Sequence, residues 1–144
     1  MLQNYPDKEP TQAAWYWIGE CYLKMADPVQ ALNSFVKQVT QFPRNSFSIE
    51  AYFKIGEIHQ SNKDYDNAIT NYELMLNAYP GTDASGRAML EIGRCYLLFN
   101  QIEAAQTTFQ KIIAQFGDSE IAIRAQLETG KIHLTNAQNE QALR

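Results

Sequence analysis

Apolar residues recur along this chain at intervals of three and four positions, which is the spacing of one face of an α-helix. Short polar stretches containing Pro, Gly, Asn, Asp or Ser separate these segments. No alternation typical of a β-strand persists anywhere in the sequence. The pattern therefore predicts an all-α chain made of several amphipathic helices.

The predicted helices belong to a repeat with a step of 37 residues. One column of this repeat holds Gly19, Gly56, Gly93 and Gly130. A second column holds Ala31, Ala68, Ala105 and Ala142. A third holds the aromatic residues Tyr5, Phe42, Tyr79 and Phe116, followed by Pro6, Pro43, Pro80 and Gly117. Self-similarity at a fixed period predicts stacked copies of one structural unit.

Each unit has the pattern of a helical hairpin. In the first unit we expect helix A over about Glu9–Lys24 and helix B over about Pro28–Gln41. Asp27 can cap helix B because its carboxylate can accept a hydrogen bond from a backbone N–H of the first turn. Pro28 follows at the first helical position, where proline is favoured. The polar residues expected to cap the later A helices are Asn45, Thr82 and Ser119.

The glycine column lies in the middle of helix A, where glycine costs about 1 kcal/mol relative to alanine. Four occurrences at such a cost indicate a steric reason, which we take to be the close crossing of helix B. The small Ala31 and its equivalents would permit that approach. The aromatic residues one turn later, Phe35, Tyr72 and Phe109, would fill the remaining space.

This spacing resembles the tetratricopeptide repeat. In the first unit the residues that carry the resemblance are Trp15, Ile18, Gly19, Tyr22, Ala31, Phe35 and Pro43. The resemblance implies an α-α superhelix of tandem hairpins that binds proteins and has no catalytic activity of its own. The usual period is ~34 residues, and the longer period here resembles that of bacterial envelope repeats, such as outer-membrane assembly lipoproteins and the Tol–Pal coordinator. That narrower resemblance favours a periplasmic or envelope location over the cytoplasm.

The repeat also predicts the domain organisation, a single array over residues 1–144. Residues 1–8 would end a preceding helix B, residues 9–43, 44–80 and 81–117 would form three repeats, and residues 118–144 a truncated fourth. Helix B of the fourth repeat would start near Asn139. Because neither end supplies a polar capping helix, we expect a segment excised from a longer protein.

Composition and motifs exclude several function classes. The net charge is −4 and no Lys/Arg cluster exceeds two adjacent positions, which disfavours nucleic-acid binding. No apolar run is long enough to span a membrane. His59 and His133 lie two repeats apart, as do Cys21 and Cys95, so we expect packed or half-exposed histidines and buried cysteines, and neither a metal site nor a disulfide. With no nucleophile–base or phosphate-loop motif present, we predict no enzyme activity and no cofactor.

By the family resemblance, helix A lines the concave face of the superhelix, where a partner would bind. The apolar part of the predicted binding set is Tyr16, Phe53, Leu90 and Leu127. Its acidic part is Glu20, Glu50 and Glu57, and its basic part is Arg87, Arg94, Arg124 and Lys131. Such a groove could hold a protein segment through apolar anchors and complementary charges. The alternative is that the charges form ordinary surface ion pairs and that the apolar row packs between repeats.

We therefore predict a protein–protein interaction scaffold with a protein or peptide partner. Two alternatives remain open from the sequence. One is a structural array that self-associates through its uncapped ends. The other is the recruitment arm of a larger enzyme or envelope complex. The sequence does not identify the partner or the process.

Overall fold

The computed structural model describes residues 12–144, which form seven α-helices and no strand. The helices are α1 (Ala14–Lys24), α2 (Pro28–Gln41), α3 (Ser46–Ser61), α4 (Tyr65–Ala78), α5 (Asp83–Leu98), α6 (Ile102–Phe116) and α7 (Glu120–Ala142). The predicted all-α class is confirmed, and so are the bounds of the first helix B. The predicted end of the first helix A at Lys24 is also confirmed, whereas its predicted start lies outside the described residues.

The chain leaves each of the first three A helices through the same turn. Ala26, Lys63 and Asn100, one repeat apart, have positive φ angles of 58°, 59° and 59°. In the first turn the Ala26 N–H donates to the Leu23 carbonyl and the Asp27 N–H donates to the Tyr22 carbonyl. The same two bonds recur in the other turns and satisfy the last carbonyls of each helix.

Side-chain caps begin most of the helices. Asp27 Oδ1 accepts from the Gln30 N–H at 3.1 Å, as predicted. The predicted caps of the later A helices are confirmed, with oxygen-to-nitrogen distances of 2.8 Å from Asn45 to Phe47, 3.1 Å from Thr82 to Ser85 and 3.3 Å from Ser119 to Ala122. Gln101 precedes α6 without a side-chain cap bond to any described residue.

The helices form two compact units, Met1–Ala78 and Tyr79–Arg144. Unit 1 holds α1 to α4, and consecutive helices pack on each other. Its main core cluster consists of Ala31, Phe35, Ala51, Ile55 and Ile58. The buried Gln38 ties α2 to its neighbours, because Gln38 Oε1 accepts from the Tyr16 N–H and Gln38 Nε2 donates to Ser48 Oγ.

Unit 2 holds α5, α6 and α7, and its core consists of Leu90, Ala105, Phe109, Ile112, Ala125 and Ile132. Helix α7 contacts both α6 and α5. It continues from Glu120 to Ala142 without the turn predicted before Asn139. The reason is local: Gln138 and Asn139 stand where Asp27 and Pro28 provide a cap and a proline in the first unit.

Candidate functional site

The predicted apolar row lies largely inside the two units. Phe53 is 6% exposed and Leu90 is 2% exposed. The Phe53 ring centroid lies 6.0 Å from that of Tyr72, and Leu90 shares a core cluster with Phe109. Phe53 and Leu90 therefore pack against helix B of their own hairpins, which corrects their assignment as exposed anchors.

The mid-helix glycines form notches, meaning spaces above helix A that a Cβ atom would fill. A Cβ on Gly19 would lie 2.6 Å from a Phe35 ring carbon. The corresponding distances are 2.2 Å from Gly56 to Tyr72 and 2.3 Å from Gly93 to Phe109. The predicted close crossing of helix B is thus confirmed at Gly19, Gly56 and Gly93, where an aromatic ring fills the notch. It is wrong at Gly130, where no described side-chain or loop atom lies within 4 Å of such a Cβ.

Charged side chains link neighbouring A helices in both units. In unit 1, Lys54 Nζ on α3 lies 3.1 Å from Glu20 Oε1 on α1. In unit 2, Arg94 on α5 pairs with Glu128 on α7, which lies 34 residues further along, with a nitrogen-to-oxygen distance of 3.3 Å. The two pairs occupy corresponding positions of the repeat with opposite polarity.

We call the charged surface of the A helices the A-face. In unit 1 it consists of Glu20, Glu50, Lys54 and Glu57, and in unit 2 of Arg87, Arg94, Arg124, Glu128 and Lys131. Ion pairs within single helices also occur there, joining Arg94 to Glu91 at 2.7 Å, Lys131 to Glu128 at 3.3 Å and Arg124 to Glu120 at 2.7 Å. Surface ion pairing, the predicted alternative, is therefore present on the A-face of unit 2.

The pKa values of Tyr16 and Lys54, which lie beside Glu20, are both raised. Burial is the main reason that the pKa of Tyr16 is raised, and the negative charge of Glu20 adds to it. For Lys54, burial acts to lower the pKa, but the hydrogen bond and charge of Glu20 outweigh it and raise the pKa above its ordinary value. Both groups therefore keep their protons at neutral pH, and Lys54 stays positively charged beside Glu20.

Open pockets adjoin both A-faces. In unit 2 a pocket of about 430 Å³ lies between the first turns of α5 and α7, lined by Asp83, Arg87, Ser119, Glu120, Ile121 and Arg124. In unit 1 a pocket of about 260 Å³ is bordered by Lys54 and Glu57 together with Leu23 and Ile58. Each pocket combines charged groups with an apolar wall, as peptide-binding surfaces commonly do.

Family models match most of the described chain. A tetratricopeptide repeat model matches residues 47–118, and a second tetratricopeptide repeat model matches residues 13–45. The first match alone covers half of the sequence. The chain belongs to the tetratricopeptide repeat family. Tetratricopeptide repeats generally mediate protein–protein interaction and are generally non-catalytic.

Several solved structures share the fold. The N-terminal domain of stress-induced protein-1 (STI-1) from C. elegans is 19% identical with a TM-score of 0.67, covering 81% of this chain and 93% of that one. PcrH from Pseudomonas aeruginosa is 16% identical with a TM-score of 0.64, covering 88% and 95%. PcrH is also similar in its complex with the chaperone binding region of PopB, at 16% identity, a TM-score of 0.64 and coverage of 86% and 98%. No curated protein sequence matches the chain.

The histidines and cysteines of this tetratricopeptide repeat chain differ in their surroundings. His59 Nδ1 lies 3.1 Å from Asp64 Oδ2, and His133 is exposed. Cys95 is buried as expected, but Cys21 is exposed, which corrects that expectation. Within residues 12–144, no group of three or more His, Cys, Asp or Glu side chains could hold a metal ion, and no helix is long and apolar enough to cross a membrane.

An exposed apolar surface on α1 was not predicted from the sequence. Trp17, Ile18, Cys21, Tyr22 and Met25 line a pocket of about 430 Å³. In the next A helix of the tetratricopeptide array, Ile55 and Ile58 occupy the positions of Ile18 and Cys21 and are buried in the unit 1 core. Helix α2, which precedes α3 along the chain, covers Ile55 and Ile58. No helix of the described residues precedes α1, so comparing the two A helices would have revealed this surface.

Proposed function

We propose that this chain is a non-catalytic module that binds a protein or peptide segment on the A-faces of its two units. Its family supports the proposal, because tetratricopeptide repeats generally mediate protein–protein interaction. A structural neighbour of the same fold, PcrH, is known in complex with a region of PopB. The similarity to PcrH concerns the fold, so the partner of this chain must follow from its own surface.

The reversed polarity of the interhelical ion pairs carries the proposal. A pair that only joined two helices would serve equally well in either orientation. Here α1 contributes Glu20 to the A-face of unit 1, and α5 contributes Arg94 at the corresponding position in unit 2. Complementary charge orients partners and excludes wrong ones. We therefore propose that unit 1 engages basic side chains and unit 2 engages acidic ones.

The cations of unit 2 remain accessible to a partner while they form ion pairs within the unit. Exposed ion pairs contribute only about 0–1 kcal/mol, because water screens them and their side chains lose freedom. Arg94 and Lys131 remain 39% and 59% exposed while paired. An acidic segment could thus pair with the exposed edges of Arg94 and Lys131 while Glu128, which is 12% exposed, keeps its internal ion pairs.

The proposal is tested with a displayed library of random peptides selected on the purified chain. Selected peptides are then bound to a variant that swaps one pair, Arg94→Glu with Glu128→Arg. We expect acidic peptides to lose at least tenfold in affinity, because the swap preserves the interhelical pair and reverses the charge offered by α5. Circular dichroism checks that the variant remains helical.

The matched control swaps the corresponding pair of unit 1, Glu20→Lys with Lys54→Glu. We expect this variant to keep the acidic peptides and to lose the basic ones. Peptides that bind the wild type and both swapped variants equally would contradict the A-face as the binding site. A selection that yields no peptide enriched over a bare support would contradict the binding function itself.

We also propose that the chain comes from the long-period type of the family found in bacterial envelopes. The step of 37 residues supports this. The division of the array into repeats at residues 43, 80 and 117 belongs to the same proposal. Fractionation of the native source with an antibody to this chain tests the location, and recovery in the cytoplasm alone would contradict it.

A further inference from the structure

The two B helices of unit 1 border a pocket of about 380 Å³. Val36 and Val39 of α2 line one part of it, and Leu74 of α4 lines another. Tyr52 and Ile55 of α3 complete the apolar lining, and α3 packs on both α2 and α4. The volume lies within the range of ~300–1,000 Å³ that is usual for small-ligand sites. No A-face residue lines this pocket, so it is a separate surface.

Two exposed apolar residues distinguish this pocket from the rest of the repeat. Val36 and Leu74 are 45% and 55% exposed. At the corresponding positions of the other B helices the sequence has polar or charged residues, which are Glu73 and Gln110 for Val36 and Lys37 and Lys111 for Leu74. Since those helices fold with polar side chains there, the packing of the repeat does not require Val36 and Leu74 to be apolar.

The first hairpin shows what usually lies beside the aromatic residue of helix A. Lys37 Nζ lies 4.3 Å from the centroid of the Trp15 ring, which is a cation–π contact. In the second hairpin, Tyr52 and Leu74 occupy the positions of Trp15 and Lys37. A leucine cannot provide the cation, so the second hairpin offers an aromatic and an aliphatic side chain to the pocket.

Polar side chains of the lining have already used their protons. Thr40 and Thr70 each donate the hydroxyl proton to the carbonyl four residues earlier, at 2.7 and 2.9 Å. His59 Nδ1 lies 3.1 Å from Asp64 Oδ2, and because a carboxylate only accepts, the neutral ring keeps its proton on Nδ1. Thr40 Oγ1, Thr70 Oγ1 and His59 Nε2 therefore remain as hydrogen-bond acceptors on residues that line the pocket.

The lining also lacks charged side chains. None of the described residues that line the pocket is Lys, Arg, Asp or Glu. Asn71 is 7% exposed, and its Nδ2 donates to the Tyr52 carbonyl at 2.6 Å, which leaves Asn71 Oδ1 as one more acceptor. A charged ligand would lose hydration there without meeting an opposite charge. The site thus suits an uncharged ligand that has apolar surface and donates a hydrogen bond.

We propose that this pocket binds an indole ring, which combines flat apolar faces with a single N–H donor and no charge. The ring packs between Val36 of α2 and Leu74 of α4 beside the Tyr52 ring, and its N–H donates to one of the acceptors of the lining. An indole ring occurs in free small molecules and in the tryptophan side chain of a partner protein, and both present the same chemistry to the pocket. This site is independent of the A-face, because it uses other side chains.

The test titrates indole into the isotope-labelled whole chain and follows the backbone amide signals by NMR. We expect saturable shifts centred on residues 36–40, 52–59 and 67–74, which contain the lining. Benzofuran is the matched control ligand, because it has nearly the same shape and an oxygen in place of the N–H. It should bind about fivefold more weakly or worse, since it cannot donate the hydrogen bond. Absence of saturable shifts up to the solubility limit of indole, or equal affinity for benzofuran, would overturn the proposal.

Two variants at exposed positions locate the site. Val36→Gln and Leu74→Lys each introduce the residue that α6 has at the corresponding position, so both should remain helical by circular dichroism. We expect each to weaken indole binding by about tenfold or more, because a polar side chain replaces part of the apolar lining. Glu73→Lys adds a lysine at the neighbouring position of α4, outside the lining, and should leave binding unchanged. Equal affinity of wild type, Val36→Gln and Leu74→Lys for indole would overturn the proposal.

N-acetyl-tryptophanamide distinguishes the two sources of the ring. Binding at least as tight as that of indole would support the tryptophan of a partner, because the pocket then accepts the ring with a backbone attached. Weaker binding than that of indole would support a free molecule. The variant Leu74→Lys leaves every A-face residue unchanged, so the selection of A-face peptides should be unaffected and the two proposals fail separately.

Discussion

Unit 1 and unit 2 use the same backbone devices and differ in the side chains placed on them. Both leave helix A through a turn with a positive φ, both fill a glycine notch with an aromatic ring, and both join neighbouring A helices with an ion pair. They differ in the polarity of that pair and in the cap of helix B, which is Asp27 or Asp64 in unit 1 and Gln101 in unit 2. Unit 2 also contains the one A helix of the described chain whose notch is open.

The comparison separates two kinds of constraint. Close helix crossing leaves room only for glycine on one side and a small residue with an aromatic ring on the other, so these columns recur in every filled hairpin. The helix caps and surface charges are exposed to water on one side. Several types of side chain can therefore form the hydrogen bonds and ion pairs needed there. Differences between the units therefore collect at the caps and on the A-face, where they can alter stability and binding without altering the fold.

Removing a ring from a filled notch should have the largest effect. Phe109→Ala leaves a cavity above Gly93 in the core of unit 2, and we expect the free energy of unfolding to fall by about 3–5 kcal/mol. Urea unfolding followed by circular dichroism measures the change. The control is Leu98→Ala at an exposed position of unit 2, which should alter stability by less than about 0.5 kcal/mol. Similar small losses for both variants would contradict our account of the notch.

Adding one methyl group to a filled and to an open notch should have opposite effects. A Cβ on Gly93 would lie 2.3 Å from a Phe109 ring carbon, so Gly93→Ala must displace a buried ring. We expect it to destabilise the protein by about 1–3 kcal/mol. Gly130→Ala meets open space and replaces a flexible residue within a helix, so it should stabilise by about 0.5–1 kcal/mol.

Thermal and urea unfolding of the two alanine variants measure this difference under the same conditions. A destabilised Gly130→Ala variant would mean that a part of the molecule covers the notch in solution. A neutral Gly93→Ala variant would mean that the ring moves aside without cost.

Much of this fold could be predicted from the sequence because its steric constraints repeat. The glycine and aromatic columns are three observations of one contact, and the capping residues Asn45, Thr82 and Ser119 act through local hydrogen bonds. The turns after the A helices could not be foreseen in the same way. Two of them place Ala26 and Lys63 in a conformation that usually selects glycine or asparagine, so their composition gives no signal.

The candidate site was predicted less well, because helical spacing gives a direction around one helix but not the position of its neighbours. Leu90 and Leu127 occupy the same column, yet the first is buried and the second exposed, since α6 covers α5 and no described helix covers that side of α7. Likewise Lys54 on α3 pairs with Glu20 on α1, a contact that helical spacing does not predict. The residue pattern of a single helix does not predict tertiary contacts of this kind.

We expect a moderate gain in the free energy of unfolding when unit 2 receives the helix B cap that unit 1 has. Gln101→Asp places a carboxylate before α6, where Asp27 and Asp64 stand before α2 and α4, and we expect a stabilisation of about 1 kcal/mol at neutral pH. Hydrogen bonds from the Asn67 side chain are the main cause that lowers the pKa of Asp64 below its ordinary 3.8, with the Asn67 N–H and His59 contributing. Ala104 and Tyr96 stand at the positions of Asn67 and His59 in unit 2, so the pKa of an aspartate at position 101 would be lowered by backbone N–H groups alone.

The pH dependence gives this prediction its control. A carboxylate with a lowered pKa in the folded state stabilises above its unfolded pKa and loses that contribution as the pH falls through the folded one. The gain from Gln101→Asp should therefore be present at pH 7 and vanish near pH 2–3, whereas Gln101→Asn should keep a similar gain at both. A gain from the aspartate that persists in acid would show that it does not act as a charged cap.

The turns that end the A helices should show the smallest difference between the units. Left-handed backbone costs an L-residue roughly 1–2 kcal/mol, while asparagine tolerates it better than alanine. Ala26 is exposed, so Ala26→Gly removes this strain without loss of packing and should stabilise unit 1 by about 0.5–1 kcal/mol after the entropy of glycine in the unfolded chain is subtracted. Asn100→Gly in unit 2 should change the urea midpoint little. Equal gains at both positions would show that the side chain of Asn100 gives its turn no advantage over alanine.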